Sequence, residues 1–297
     1  METALLEKKS LVENFLTPSP CVLSSHSFVN IFAWKDFFEF EFKTIGKNLC
    51  IFAKSSLGCF MYLPPLGPSA NQGVINECFE FMYGINGKKG ITRIDNVSHQ
   101  MLSLFPGQEF KFYKKGYEYC YYREEIASFR GNAFKSQRAS YNKFIKNNNY
   151  KFLPYAPKMQ QGCAELYGRW AKQRLDSHKD GVYQQLIEEN ALVHQQLLKF
   201  YQELDLIGRV VLIDGKIKAY TLGYPLTSDI FCVLLEITDL DVAGLSAFIF
   251  REFCKDEALK DFKFINVMDD LELENIKRTK MSFKPGILFP SYTVTKK

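Results

Sequence analysis

No two of the eight cysteines form a Cys-x-x-Cys pair, which argues against a zinc ribbon or a thioredoxin-type redox site. They are scattered at 21, 50, 59, 78, 120, 163, 232 and 254. Cys232 and Cys254 lie in strongly apolar stretches, where a thiol acts as a small hydrophobe. A disulfide scaffold is not expected in a chain of this size and compartment. The four histidines (His26, His99, His178 and His194) are far apart, and no His-x-x-x-His or Cys/His cluster supports a metal. Gly-x-Ser-x-Gly, Walker A and Gly-x-Gly-x-x-Gly motifs are all missing, which removes hydrolase-elbow, P-loop and dinucleotide readings. No apolar run approaches the ~20 residues that span a bilayer. The N-terminus lacks the basic start and apolar stretch of a signal peptide, so a cytoplasmic location is expected.

What is present points to a packed, two-domain chain. At 297 residues and 46% hydrophobic content there is material for two cores. The net charge of +5 permits an anionic partner without demanding one. Its distribution is more informative. Between Arg130 and Lys151 stand Arg130, Lys135, Arg138, Lys143, Lys146 and Lys151, with no acid among them. Taken as a helix, this segment puts Phe134, Tyr141, Phe144 and Ile145 on one face and lysines on another, an amphipathic basic connector. It reads equally as a solvated linker or an anion-binding rod.

Patterning on either side of that connector repeats. In the first half, residues 38–43 alternate cleanly as a half-buried strand, and 49–53 and 59–63 follow as strands. A helix over 72–82, a strand near 91–94, a short helix at 99–104 and strands at 109–113 and 117–122 complete it. The second half opens with helices at 158–175 and 183–204. A hairpin (207–213 and 216–223) turns on Asp214-Gly215. A strand at 229–237, a helix at 241–255, a strand at 262–267, a helix at 273–281 and a strand near 287–293 follow. Three strands, helix, strand, helix, strand thus occurs twice, which points to duplicated α/β units.

The most telling segment is 264–285. A short apolar strand ends in Asp269 and Asp270. A helix follows with Glu272 and Glu274 at its start and Lys277, Arg278 and Lys280 at its end, an order that suits the helix dipole. Pro285 stops it. This block resembles the signature of a bacterial family of unknown function, related to the soluble C-terminal region of phosphatidylglycerol lysyltransferase (aminoacyl-phosphatidylglycerol synthase). In that pattern Asn-Arg-Glu-x-Asp-Leu-Gly precedes a helix carrying Leu-Arg-Lys-Ala-Lys-x-Ser-Tyr-x-Pro. Asn266, Asp270, Leu271, Lys280, Ser282 and Pro285 fall in step without a gap. Ser27, Phe28, Asn30 and Trp34 look like the family's N-terminal Ser-Phe-x-Asn-Leu-Tyr-x-Trp. The stretch 129–144, with Gly131, Arg138, Asn142, Lys143 and Phe144, resembles its central block, and 229–236 resembles the strand carrying its His-Ile-Glu. The chain departs from the pattern at Val267, Met268 and Glu272, where the family has Arg, Glu and Gly.

The resemblance implies an α/β (α+β) fold of two tandem GNAT-like acyltransferase domains, each a mixed, mainly antiparallel sheet flanked by helices. Their expected bounds are 1–128 and 152–297, joined by the basic helix 129–151. The implied activity is transfer of an acyl or aminoacyl group, with aminoacyl-tRNA as a possible donor. The resemblance does not reach the membrane-spanning portion of the lysyltransferases, which leaves the acceptor open. An anionic lipid headgroup is one candidate.

Acyl transfer needs a base for the nucleophile's proton, donors for the oxyanion and a grip on the leaving group. Asp270, Glu236 and Lys280 are the candidate catalytic residues. Asn266, Asp269, Ser282, Arg138, Lys135, Lys143 and Lys146 are the candidate substrate-binding residues, and no metal is expected. Asp269 reads more simply as a helix-capping acid, and Lys280 as a lysine satisfying the dipole. Coenzyme A is disfavoured. The loop 238–244 has one glycine, no base and two acids where pyrophosphate should bind a helix N-terminus, and the loop 64–73 has glycines but no cation. A donor with its own polyanionic backbone, held on Lys135, Arg138, Lys143 and Lys146, fits better. Two other readings stand beside this one: a catalytically lapsed binding module for RNA or an anionic lipid surface, motivated by Val267, Met268 and Glu272, and a coenzyme A acetyltransferase of small molecules.

Overall fold

The computed structural model describes residues 2–87, 90–177 and 181–297, so His178 lies outside the described residues. In chain order the elements begin with α1 (Glu2–Leu6), α2 (Lys9–Leu16), α3 (Phe28–Ala33), β1 (Glu39–Ile45), β2 (Asn48–Ser55), β3 (Gly58–Met61), α4 (Gln72–Asn86), β4 (Ile94–Ser98) and β5 (Phe110–Tyr122). Next come α5 (Arg123–Ser128), α6 (Lys135–Asn147), β6 (Tyr150–Pro154), α7 (Gln160–Ser177) and α8 (Gly181–Lys199). The chain continues with β7 (Ile207–Ile213), β8 (Lys216–Pro225), β9 (Ile230–Thr238), α9 (Leu245–Cys254), β10 (Phe264–Asn266), α10 (Glu274–Ser282) and β11 (Ile287–Lys296). Two compact units result. The first gathers Met1–Tyr119, Met268–Ile276 and Leu288–Lys297, and the second gathers Cys120–Val267 and Lys277–Ile287.

In the first unit β1, β2 and β3 form an antiparallel meander, β3 meets β4 in parallel at Met61 and Ile94, and β11 runs antiparallel to β4. Six of the eight residues of β2 are buried, as a strand covered on both faces requires. Asn71 caps α4 by accepting the Val74 amide at 3.2 Å, and Gly87 ends it at φ 56°. The apolar stripe of α4 (Val74, Ile75, Cys78, Phe79, Met82) packs on Cys50, Phe52, Met61 and Ile94, the burial that drives this unit together.

The second unit carries β6, β7, β8 and β9 as an antiparallel run. The β7–β8 hairpin turns on Asp214 and Gly215, both with positive φ (50° and 75°), as a type I′ turn needs. β10 lies parallel to β9 but only from Phe264 to Asn266, opposite Ile230 to Cys232. Its other edge pairs with residues 120–122 of β5. Beyond Cys232, β9 runs on to Thr238 without β10 beside it. The sheet therefore opens, and the loop from the free end of β9 leads into α9. Gly244 in that loop has φ 82°, and a Cβ there would stand 2.1 Å from the Ser140 carbonyl oxygen of α6. The close approach seats Phe144 among Leu245, Phe248 and Ile249, with the Phe144 and Phe248 rings 4.4 Å apart.

Several expectations change. The strands expected at 109–113 and 117–122 are one strand, β5. The division at 128 and 151 gives way to an exchange of strands: residues 120–122 pair with β10 in the second unit, while β11 pairs with β4 in the first. On α6 the buried face holds Gln137 rather than Ile145, which is exposed. Among the described residues no helix is long and apolar enough to cross a membrane. Gly244→Ala should cost about 2–4 kcal/mol, because it adds left-handed strain to a backbone clash. Urea unfolding should show the loss as a lowered midpoint with an unchanged slope.

Candidate functional site

In the first unit, polar side chains sink into the interior. Glu118 of β5 is 6% exposed, and its carboxylate accepts from the Ser24 amide at 2.8 Å and the Ser24 hydroxyl at 2.7 Å. Ser27 caps α3 through the Asn30 amide at 3.1 Å. Asn30 Oδ1 in turn accepts from the Tyr62 hydroxyl at 2.6 Å. Burial, with Asp95, Glu118 and Asp269 nearby, drives the Tyr62 pKa far above its ordinary value, so this phenol stays a donor. Asn96, at φ 56°, donates to the Tyr62 carbonyl at 2.9 Å, and its own carbonyl lies 2.8 Å from His26 Nε2. Burial disfavours charge on His26 and Cys21, yet their mutual attraction prevails: the imidazole pKa is raised and the thiol pKa lowered.

The loop after β10 also belongs to this unit. Asp270 Oδ2 accepts from the Tyr119 hydroxyl at 2.5 Å, and Oδ1 accepts from the Glu272 amide at 3.0 Å. Burial first, then the Asp270 bond, raise the Tyr119 pKa well above its usual range. Met268, Leu271 and Glu272 all have positive φ (64°, 51° and 58°). Asp270 thus closes an Asx turn on the amide two residues on, ahead of α10. Asp269 lies near enough to Tyr62 and Tyr119 to raise both phenols.

The other candidates lie in the second unit. Asn266 is 0% exposed on β10, so it is an interior group and not a solvent-facing contact. Lys280 Nζ donates to the Val267 carbonyl at 2.7 Å, tying α10 to the end of β10. Arg138 donates to the Phe129 and Gly131 carbonyls. Both bonds come from Nη1, one nitrogen of the guanidinium. Lys135, Lys143 and Lys146 are exposed and, among the described residues, have no partner. The Glu236 carboxyl is buried, its Oε2 unbonded, and burial pushes its pKa up to about 8.

At the free end of β9, α6, α9 and α10 line an open cavity of about 490 Å³. The first turn of α9 faces it with no side-chain cap. Gln137, one of the lining residues, donates to the Ser282 carbonyl at 2.5 Å, and its Oε1 is buried without a partner. Arg278 is exposed at the rim, and Ser282 lies beside it. The two acids of the loop are engaged: Asp239 with Lys218 at 2.7 Å, and Asp241 with the Gln173 amide at 3.0 Å. Helix dipole, guanidinium and an orphaned acceptor together suit a ligand that carries both negative charge and a hydrogen-bond donor.

Of the residues named from sequence, Ser282 lines the second-unit cavity and Asn266 and Asp270 do not; Gln137 and Arg278 were not named as lining residues. In the first unit sequence reasoning quoted Ser27 and Asn30 as motif residues without seeing Tyr62, Asn96, Glu118 or Tyr119 behind them. Only the Ser-x-x-Asn spacing signalled that cluster, since the rest assembles through tertiary pairing.

A parallel strand pair that splays at the mouth of a helix, in a chain of two such α/β units, defines the tandem GNAT-like fold. The chain belongs to the family described as phosphatidylglycerol lysyltransferase, C-terminal, which it matches over residues 21–295. Its fold resembles a conserved protein of unknown function from Bacteroides thetaiotaomicron (24% identity, TM-score 0.84, covering 98% of this chain and 97% of that one). It also resembles L-PGS from Bacillus licheniformis (16%, TM-score 0.67, 96% and 90%). A tandem GNAT protein from the clavulanic acid biosynthesis pathway shares the fold more distantly (6%, TM-score 0.50, 99% and 95%). Comparison with curated proteins returns no match.

Glu236 provides a test through its ionisation. Unfolded, it loses its proton near the ordinary carboxylate value; folded, it holds the proton to about pH 8. The folded state therefore binds more protons across that window, and stability should fall with rising pH by up to about 1.4 kcal/mol per unit. Glu236→Gln should flatten that stretch of the stability curve, as chemical denaturation at successive pH values would show. An unchanged slope would mean the carboxyl is solvated.

Proposed function

We propose that the protein transfers an acyl or aminoacyl group from a polyanionic donor, an aminoacyl-tRNA in the first instance. The observation that carries this reading is the cavity at the first turn of α9. It offers positive potential from the helix and Arg278, and an unpaired acceptor at Gln137 Oε1. A phosphate-bearing donor end with a hydroxyl or amine satisfies both. The unpaired Lys135, Lys143 and Lys146 on α6 extend the positive surface, as the backbone of a nucleic acid requires. Coenzyme A fits less well, because the loop 238–244 that would cradle its pyrophosphate has one glycine, two acids and no basic residue. Glu236 becomes an acceptor for the nucleophile's proton once the medium passes about pH 8. Val267 and Met268, where the family pattern has charge, favour a smaller set of substrate contacts than its relatives use.

The test uses radiolabelled lysyl-tRNA with phosphatidylglycerol vesicles as the first acceptor. Label should move from tRNA to the acceptor, faster as pH rises towards 8. The triple substitution Lys135→Ala, Lys143→Ala, Lys146→Ala should weaken tRNA binding about tenfold and flatten its salt dependence. Calorimetry with acetyl-coenzyme A should give no heat. Salt-dependent tRNA binding without transfer to any acceptor would instead favour the lapsed binding module. Absence of binding to both tRNA and the anionic vesicles would end both readings.

Asp270 allows a separate check. Asp270→Asn keeps an acceptor for the Glu272 amide but weakens the charge-assisted Tyr119 bond, so a loss of transfer at an unchanged melting temperature would assign it a role in the reaction. Parallel losses of transfer and stability would make it a turn residue only.

A further inference from the structure

The second unit holds another cavity, of about 630 Å³, bounded by α7, α8 and β8 and sharing no lining residue with the first. An imidazole forms part of its wall. His194 of α8 is 7% exposed, and its Nδ1 lies 2.7 Å from the hydroxyl of Tyr220. Tyr220 is completely buried and that hydroxyl has His194 as its partner, so the phenol donates to Nδ1 and the ring proton sits on Nε2. The Tyr167 ring lies 4.6 Å from the imidazole, its own hydroxyl donating to the Ile187 carbonyl at 2.7 Å. Among the described residues Nε2 meets no acceptor, and His194 lines the cavity. Burial pushes the His194 pKa down to about 3, so the ring is a neutral N–H donor at physiological pH.

The other wall is electropositive. Lys158 is exposed and, among the described residues, has no partner. No carboxylate belongs to the lining. A buried, pre-oriented N–H beside an ammonium, with no carboxylate in the described lining, is the complement of an oxyanion. The volume falls within the ~300–1,000 Å³ typical of small-molecule pockets and exceeds what a bare ion fills.

We propose that this cavity binds a small organic molecule through a carboxylate or phosphate, received by His194 Nε2–H and Lys158, with its carbon skeleton against Tyr167 and Leu198. The site is separate from the transfer reading and stands without it.

Gly168 makes the proposal testable without damaging the fold. A Cβ there meets nothing within 4 Å, and the residue lines the cavity. Gly168→Phe should therefore close the cavity while strengthening α7, since glycine is the poorer helix former. The full chain is titrated with acetate, inorganic phosphate, benzoate and adenosine 5′-monophosphate, following the His194 ring nitrogen signals by NMR and heat by calorimetry. Saturable shifts at His194 are expected from benzoate or the nucleotide, whichever carries the favoured oxyanion, with the bare ions at least about tenfold weaker. Gly168→Phe should abolish the binding and keep or raise the melting temperature. Failure of every probe to shift His194 saturably, equal affinity for bare and organic anions, or wild-type binding by Gly168→Phe would each overturn the proposal.

Discussion

Much of the second unit depends on one missing atom. Because residue 244 has no Cβ, the backbone of α6 reaches the start of α9, with Ser140 against Gly244. That contact places Phe144 in a core with Leu245, Phe248 and Ile249. It also brings Gln137 to the Ser282 carbonyl, which sets one wall of the 490 Å³ cavity. With its inner face buried, α6 must turn Lys135, Lys143 and Lys146 outwards. A core contact, a cavity wall and a charged surface thus share one steric cause.

The first unit is organised by polarity instead. A carboxylate as buried as Glu118 is costly unless its lone pairs are met, and Ser24 meets them with both its amide and its hydroxyl. Tyr62 bridges Asn30 through its hydroxyl and Asn96 through its carbonyl, so three segments distant in sequence are held by directional bonds. Such bonds fix geometry more tightly than apolar packing does. Left-handed backbone at Asn96 and around Asp270 belongs with this arrangement, since strained conformations persist where the surroundings over-determine them.

Periodicity read the regular elements well, because helix stripes and alternating strands are local signals. The hairpin at Asp214–Gly215, the stripe of α4 and the basic α6 were all legible. The motif at 264–285 led to the family because its residues are contiguous. What escaped was set by pairing across long sequence separations. Nothing local says that β11 joins β4, or that residues 120–122 of β5 join β10. Asn266 was read as a ligand contact because it falls in step with the family motif, but β10 is paired on both edges and the Asn266 side chain is fully buried. Arg138 looked like a phosphate grip because it is basic. Its Nη1 also donates to the carbonyls of Phe129 and Gly131, a role set by the local turn rather than by charge pattern.

The exchange of strands also bears on how the protein is made. The sheet of β1 to β4 lacks its partner β11 until all of residues 120–267 have been synthesised. On the ribosome, the N-terminal meander must therefore wait with an unpaired strand edge while the later unit takes shape. A nascent chain in that condition is open to pairing with neighbouring polypeptides. Pausing of translation, or a chaperone that shields β4, would govern yield more than the stability of the finished molecule.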